Sequence, residues 1–168
     1  MKMITKVYRK LVQTLFLLLA KKRCIAVGMD VCVNRYCEFT ANTIIGNNCH
    51  FNGMRCNGEG KIVIGDNFHS GRDCILITSD HNYDYGNKIP YDHTSITADI
   101  IIDENVWIGD RVIILKGVHI GEGAIIQAGS VVVKDIPSLS IAGGVPAKEF
   151  KMRDSNHYYH LKEERQYF

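Results

Sequence analysis

Proline is nearly absent, three residues among 168 against 15 glycines, and there is a single tryptophan. With 46% hydrophobic and 23% charged residues, this balance excludes a Pro-rich disordered chain and a collagen-like repeat, and it fits a foldable globular one. A charge excess is missing as well. Twenty basic side chains face 18 acidic ones, a formal +2, which excludes the strongly basic balance of a dedicated nucleic-acid binder. Long apolar runs are also lacking: the stretch from Leu11 to Ala20 is half of the roughly 20 residues a bilayer-spanning helix needs. The six cysteines lack the paired spacing of a zinc site, and secreted disulfide scaffolds are usually shorter, so free thiols in a reducing cytoplasm are expected. What remains is enough chain for one domain with a real core.

Residues 1–24 hold Lys2, Lys6, Arg9, Lys10, Lys21, Lys22 and Arg23 and no acid, leaving the other 144 residues with 13 basic against 18 acidic groups, a charge of −5. Ile4, Val7, Tyr8, Leu11, Val12, Leu15, Phe16, Leu18 and Leu19 recur at three- and four-residue steps, which predicts an amphipathic helix with Lys6, Arg9, Lys10, Gln13 and Thr14 opposite. Lys21-Lys22-Arg23 stand where a signal peptide needs small residues at its cleavage site. Two uses fit such a helix: packing on its own domain or a partner subunit, or resting on anionic lipid.

A six-residue period organises nearly everything else. Ile102, Ile108, Ile114, Ile120, Ile126 and Val132 lead consecutive hexads, whose fifth members are Val106, Val112, Val118, Ala124, Ser130 and Ile136. Upstream the frame runs through Val27, Val33, Phe39, Ile45 and Phe51, with Arg55 out of character at a fifth position, then through Ile64, Ser70 and Leu76 after an irregular piece at 57–63. Short strands joined by tight turns suit this pattern. Three strands make one triangular coil, and because a coil cannot bury its apolar face alone, about five must stack on one core. Cys37, Cys49 and Cys74 fall at the inward fifth position as small hydrophobes, whereas Cys24, Cys32 and Cys56 fall outside it. Gly46, Gly65, Gly109 and Gly121 mark corners where a side chain would crowd the turn. The chain divides into a helix, 1–24, a hexapeptide solenoid, 25–137, with an excursion loop at 82–101, and a C-terminal segment, 138–168.

Three motifs stand around this solenoid: Thr78-Ser79-Asp80-His81 before the excursion, Asn105-Val106-Trp107-Ile108-Gly109 after it, and Gly143-Gly144-Val145-Pro146-Ala147-Lys148 beyond the last hexad. In this order they resemble the hexapeptide-repeat acyltransferases, and within them the sugar O-acetyltransferases of the maltose and galactoside type. The tail Asn156-His157-Tyr158-Tyr159 is similar to the galactoside branch. The resemblance covers roughly residues 27–155. It implies a left-handed parallel β-helix, an all-β fold, assembled as a homotrimer with acetyl-CoA in the groove between subunits and no metal. Handedness comes from the family alone, since parallel crossovers elsewhere are right-handed.

Transfer of an acetyl group from a thioester to a hydroxyl needs a base for the hydroxyl proton, and imidazole is poised for this near neutral pH, so His81 at the root of the loop is the candidate. The resemblance implies CoA or acceptor contacts at Asn52 and acceptor contacts at Glu59. Phosphate-facing cations are expected at Lys134, Lys148 and Lys151. Ala128 and Gly129 offer a small-residue surface for the pantetheine arm, Asp110 matches a position often Ser or Gly in the family, and Trp107 follows the loop as a further CoA-site candidate. Tyr83, Tyr85 and Tyr91 make the loop aromatic, which suits stacking on a sugar ring or anchoring of the loop against a neighbouring subunit.

The expected activity is O-acetylation of a carbohydrate, a sugar of a bacterial surface polysaccharide, without a covalent enzyme intermediate. N-acetylation of a nucleotide amino sugar and O-acetylation of an antibiotic stay open. A metal-dependent hydratase on the same fold would need about three converging histidines, and the two closely spaced ones such proteins carry are absent. A non-catalytic β-helical scaffold would make His81 dispensable.

Overall fold

The computed structural model describes residues 2–168, with side chains from Lys6 onward, so Met1 and the side chains of Lys2 and Ile4 lie outside the described residues. Helix α1, Lys2–Arg23, leads into a parallel β-helix, and helix α2, Ser155–Glu163, closes the chain. The first face stacks Ala26–Val27, Thr43–Ile45, Ile62–Ile64, Ile100–Ile102 and His119–Ile120, extended by a bridge to Ile136. The second face stacks residues led by Val33, Phe51, Ser70, Ile108, Ile126 and Ala142. Only five rungs form the third, through the Glu38 to Arg55 bridge, Ile75, Ile113–Ile114 and Val131–Val132. The solenoid therefore has six rungs on two faces, one more than the hexad count suggested.

The hexad leads and fifth positions fill one continuous core, with Ile102, Ile108, Ile114, Ile120, Ile126 and Val132 at most 1% exposed. Cys37, Cys49 and Cys74 are buried with them, and burial pushes the Cys49 and Cys74 thiols up to about 11. All six cysteines are free. At the corners, a Cβ on Gly109 would sit 2.5 Å from the backbone nitrogen of Ala128, one coil on, and a Cβ on Gly46 2.8 Å from that of Asp66. Coil stacking, not a special φ, is what demands glycine there. Asn48, Asn67 and Asn105 take the left-handed conformation at another corner, which asparagine tolerates. Their amides form a ladder at 2.9 Å per step that ends on the Tyr158 hydroxyl of α2.

The irregular piece has a definite geometry. Phe51 to Met54 takes three steps where Ser70 to Cys74 takes four, because Met54 pairs with Cys74. One residue is missing at the Asn52–Gly53 corner, so Met54 and Cys56 point inward and Arg55 points out. Cys56 is thus a core residue, correcting its placement outside the inward set. Cys56 to Ile62 then takes six steps where Phe39 to Thr43 takes four, so two extra residues form the Gly58–Gly60 turn.

The excursion leaves and rejoins the solenoid a few residues earlier than 82–101. Ser79–His81 and Ser95–Thr97 pair as an antiparallel arm, and Ile100–Ile102 is already back in the first face. Helix α1 also differs from expectation. It packs on the first coil through Phe16, Leu17 and buried Ala20, while Gln13, expected to face away, donates to the Asn34 side chain at 2.6 Å. Most of its apolar stripe stays outside.

Candidate functional site

The arm that carries His81 is held at its root by the motif before it. Thr78 is buried, and its hydroxyl donates to the carbonyl of Asn57 at 3.0 Å and accepts the N–H of Gly60 at 3.1 Å. The Ser79 hydroxyl accepts the N–H of Glu59 at 2.9 Å and bonds Thr97 across the arm at 2.9 Å. Gly58, at φ +98°, leaves room for the Thr78 hydroxyl, which would lie 2.5 Å from a Cβ there. Thr78 and Ser79 thereby clamp the arm to the Gly58–Gly60 turn and bring Glu59 beside the strand of His81. Thr78→Val is expected to destabilise the protein by about 1–3 kcal/mol, because it strands the Gly60 N–H in a buried place. Urea unfolding of the variant measures this directly.

Strand alternation sends Asp80 and His81 to opposite sides. Asp80 pairs with Lys116, so it does not orient the imidazole. Tyr91 does: its ring lies on the His81 ring at a centroid distance of 3.6 Å, with planes 4° apart. The loop beyond is stitched by Asp92, whose carboxylate accepts the Thr94 hydroxyl at 2.6 Å and the N–H groups of Asn87 and Thr94; these bonds hold its carboxyl down at about 2. Tyr83 and Tyr85 project into solvent, 63% and 86% exposed. The Glu59 side chain is exposed and makes no hydrogen bond or ion pair among the described residues, while its carbonyl accepts from Asn42.

A second cluster occupies a different corner. Asn52, Asp110, Ala128 and Gly129 stack between the second and third faces, whereas Glu59, His81, Lys116 and Lys134 lie between the third and first. One subunit does not bring His81 together with Asn52, Asp110 or Gly129. Around Asp110 and Gly129 opens a cavity of about 550 Å³. Arg35, Arg72 and Arg111 line it together with Asp73 and Asp110, and the hexad frame had not singled out these cations. Coil spacing was the available signal: each arginine follows a second-face lead at the same corner, but the missing residue at Asn52 breaks the visible register.

The structure gives several candidates defined partners. Both ends of the Asn52 amide are engaged, accepting from Asn34 at 3.1 Å and donating to the Ser70 carbonyl at 2.7 Å. Asp110 accepts the N–H of Arg72 at 2.7 Å through one oxygen, as Asp66 does for Asn47 one corner away. Gly129, at φ +73°, has nothing within 4 Å of where a Cβ would be, so the backbone there is bare. Trp107 sits outward on the second face between His69 and Ile125, 55% exposed. Lys148 and Lys151 are exposed on the strand Ala147–Met152, which runs antiparallel to Ser140–Gly144 at the C-terminal end of the solenoid. Neither lysine reaches the His81 corner.

Comparison with known proteins follows the same lines. Residues 99–134 match the family described as bacterial transferase hexapeptide (six repeats). Galactoside O-acetyltransferase of Escherichia coli is 33% identical over 128 residues, 74% of this chain and 62% of that protein. Chloramphenicol acetyltransferase of Morganella morganii is 32% identical over 112 residues, 57% of this chain and 53% of that protein. A hexapeptide-repeat-containing acetyltransferase of Vibrio cholerae, solved in complex with acetyl coenzyme A, superposes with a TM-score of 0.74 at 30% identity, covering 82% of this chain and 76% of that one. The chain spans between 42% and 62% of the length of the first curated relatives it matches.

Proposed function

The chain belongs to the hexapeptide-repeat acetyltransferase family, and from that premise we propose that it is an acetyl-CoA-dependent O-acetyltransferase, active as a cytoplasmic homotrimer on a sugar hydroxyl of a bacterial surface polysaccharide. The observation that carries this reading is the division of the site. His81 and Glu59 stand at one corner, while the arginine-lined cavity with its bare Gly129 backbone stands at another. A neighbouring subunit packed against the first corner completes the site by presenting its second.

The chemistry follows from what each half offers. Arg35, Arg72 and Arg111 supply cations for the phosphates of CoA, and Lys134, Lys148 and Lys151 add charge towards the end of the groove. The small Ala128–Gly129 segment lets an extended thioester arm lie against backbone. On the opposite side Glu59 accepts hydrogen bonds from sugar hydroxyls, and the Tyr83 and Tyr85 rings face the sugar. His81 takes the proton from the acceptor hydroxyl as its oxygen attacks the thioester carbonyl. Backbone N–H groups hold the oxyanion, and the proton passes from the imidazolium to the departing thiolate, so no acyl-enzyme forms. Stacking on Tyr91 fixes the ring plane during both transfers.

The reading is tested by following thiol release from acetyl-CoA across simple sugars, nucleotide amino sugars and lipid-linked glycans. Turnover on a hydroxyl acceptor is expected. Turnover restricted to amino sugars would overturn O-transfer in favour of N-transfer, and a protein that neither binds CoA nor turns over would be a scaffold.

A further inference from the structure

Helix α1 lies across the first coil, and the side turned away from the solenoid is apolar. Val7, Tyr8, Leu11, Leu15, Leu18 and Leu19 are between 44% and 68% exposed. At 3.6 residues per turn these six fall within a sector of about 120°, opposite the Gln13, Phe16 and Ala20 side that packs on the coil. Exposed cations border that sector. Lys10 and Lys21 run along one edge, Arg23 along the other, and Lys22 stands at its C-terminal end. None of these cations forms an ion pair among the described residues. No helix among the described residues is long and apolar enough to cross a membrane. The surface suits lying in an interface.

From this we propose that α1 docks the protein on an anionic lipid surface, with Val7, Leu11, Leu15 and Leu18 entering the acyl boundary and the lysines meeting the headgroups. Charge sets this occupant apart from a pairing of helices between two copies. Residues 1–24 hold seven cations and no acid, so pairing the helices of two copies would set like charge against like. The remaining 144 residues carry −5, and an anionic surface therefore attracts the helix end and repels the body, which fixes the orientation. With 22 residues the helix is about 33 Å long, enough to present this whole stripe to a flat surface. The inference is independent of which acceptor the protein acetylates.

The test is co-sedimentation of the full chain with vesicles of phosphatidylcholine alone and with about 30% phosphatidylglycerol, at low salt and at about 0.5 M salt. Binding to the anionic vesicles should exceed binding to the neutral ones by about tenfold or more and fall at high salt. Leu11→Glu with Leu15→Glu should abolish it while leaving the far-UV circular dichroism and acetyl-CoA turnover unchanged. Absence of binding, or equal binding to both vesicle types, overturns the proposal. So does a double variant whose sedimentation mass falls while vesicle binding persists, because that would assign the face to a second copy of the chain.

Discussion

Replacement of His81 by asparagine is expected to lower kcat by between about 100-fold and 10 000-fold, the range over which a positioned general base contributes. Asparagine keeps a polar planar group over Tyr91 but cannot accept and return the proton. The KM for acetyl-CoA should hardly change, because the arginine-lined cavity lies at a different corner from the arm. The fold should not change either, since the His81 side chain is exposed and makes no hydrogen bond among the described residues. Steady-state kinetics on the acceptor found active, with a melting curve of each protein, separates the cases. A variant that keeps more than about a tenth of the native kcat would place the base elsewhere. A variant that loses CoA affinity along with kcat would mean that the arm also holds the donor presented by the neighbouring subunit.

The solenoid was legible because its rule is local and repeated: a large aliphatic every sixth residue can be read without knowing any contact. The frame failed where the backbone changes length. At Asn52–Gly53 one residue is missing and at Gly58–Gly60 two are added, so Arg55 occupied an inward slot on paper while Met54 and Cys56 fill the core. The candidate His81 stood out from its motif, but its contacts did not. Asp80 stood next to it in sequence, and strand alternation turned it towards Lys116. Tyr91, ten residues away, returned to it through the antiparallel arm. Arg35, Arg72 and Arg111 were invisible for a related reason, since charge at a corner acquires meaning only when coils of unequal length are stacked in register. Helix α1 showed its amphipathicity plainly, yet periodicity could not say that the coil would take the Gln13 side and leave the leucines outside.

The same stacking predicts where the fold is least tolerant. Phe51 is fully buried on the second face, with Phe39 edge-on at 5.2 Å and Phe68 tilted against it at 5.5 Å. The next lead on that face is Ser70, which is small, so the phenylalanine ring fills volume that a larger lead would otherwise supply. Phe51→Ala should therefore cost about 3–5 kcal/mol, transfer of the ring plus the cavity it leaves. Collapse cannot recover much of this, because strands on both sides are pinned by parallel pairing to the coils above and below. In a solenoid each coil is stabilised by its neighbours, so a weak coil interrupts the stack between α1 with the first coil and the rest. The measurement is urea unfolding at fixed protein concentration, read as a lower midpoint. An unchanged slope would mean that the whole solenoid still unfolds as one unit, and a reduced slope that the first coils open separately. Leu15→Ala, on the outer face of α1, is the matched control and should shift the midpoint little, since its side chain is already in water. A loss below about 1 kcal/mol for Phe51→Ala would mean that the Phe39 and Phe68 rings close the gap, and that the aromatic stack is not the rigid part of the core that its burial indicates.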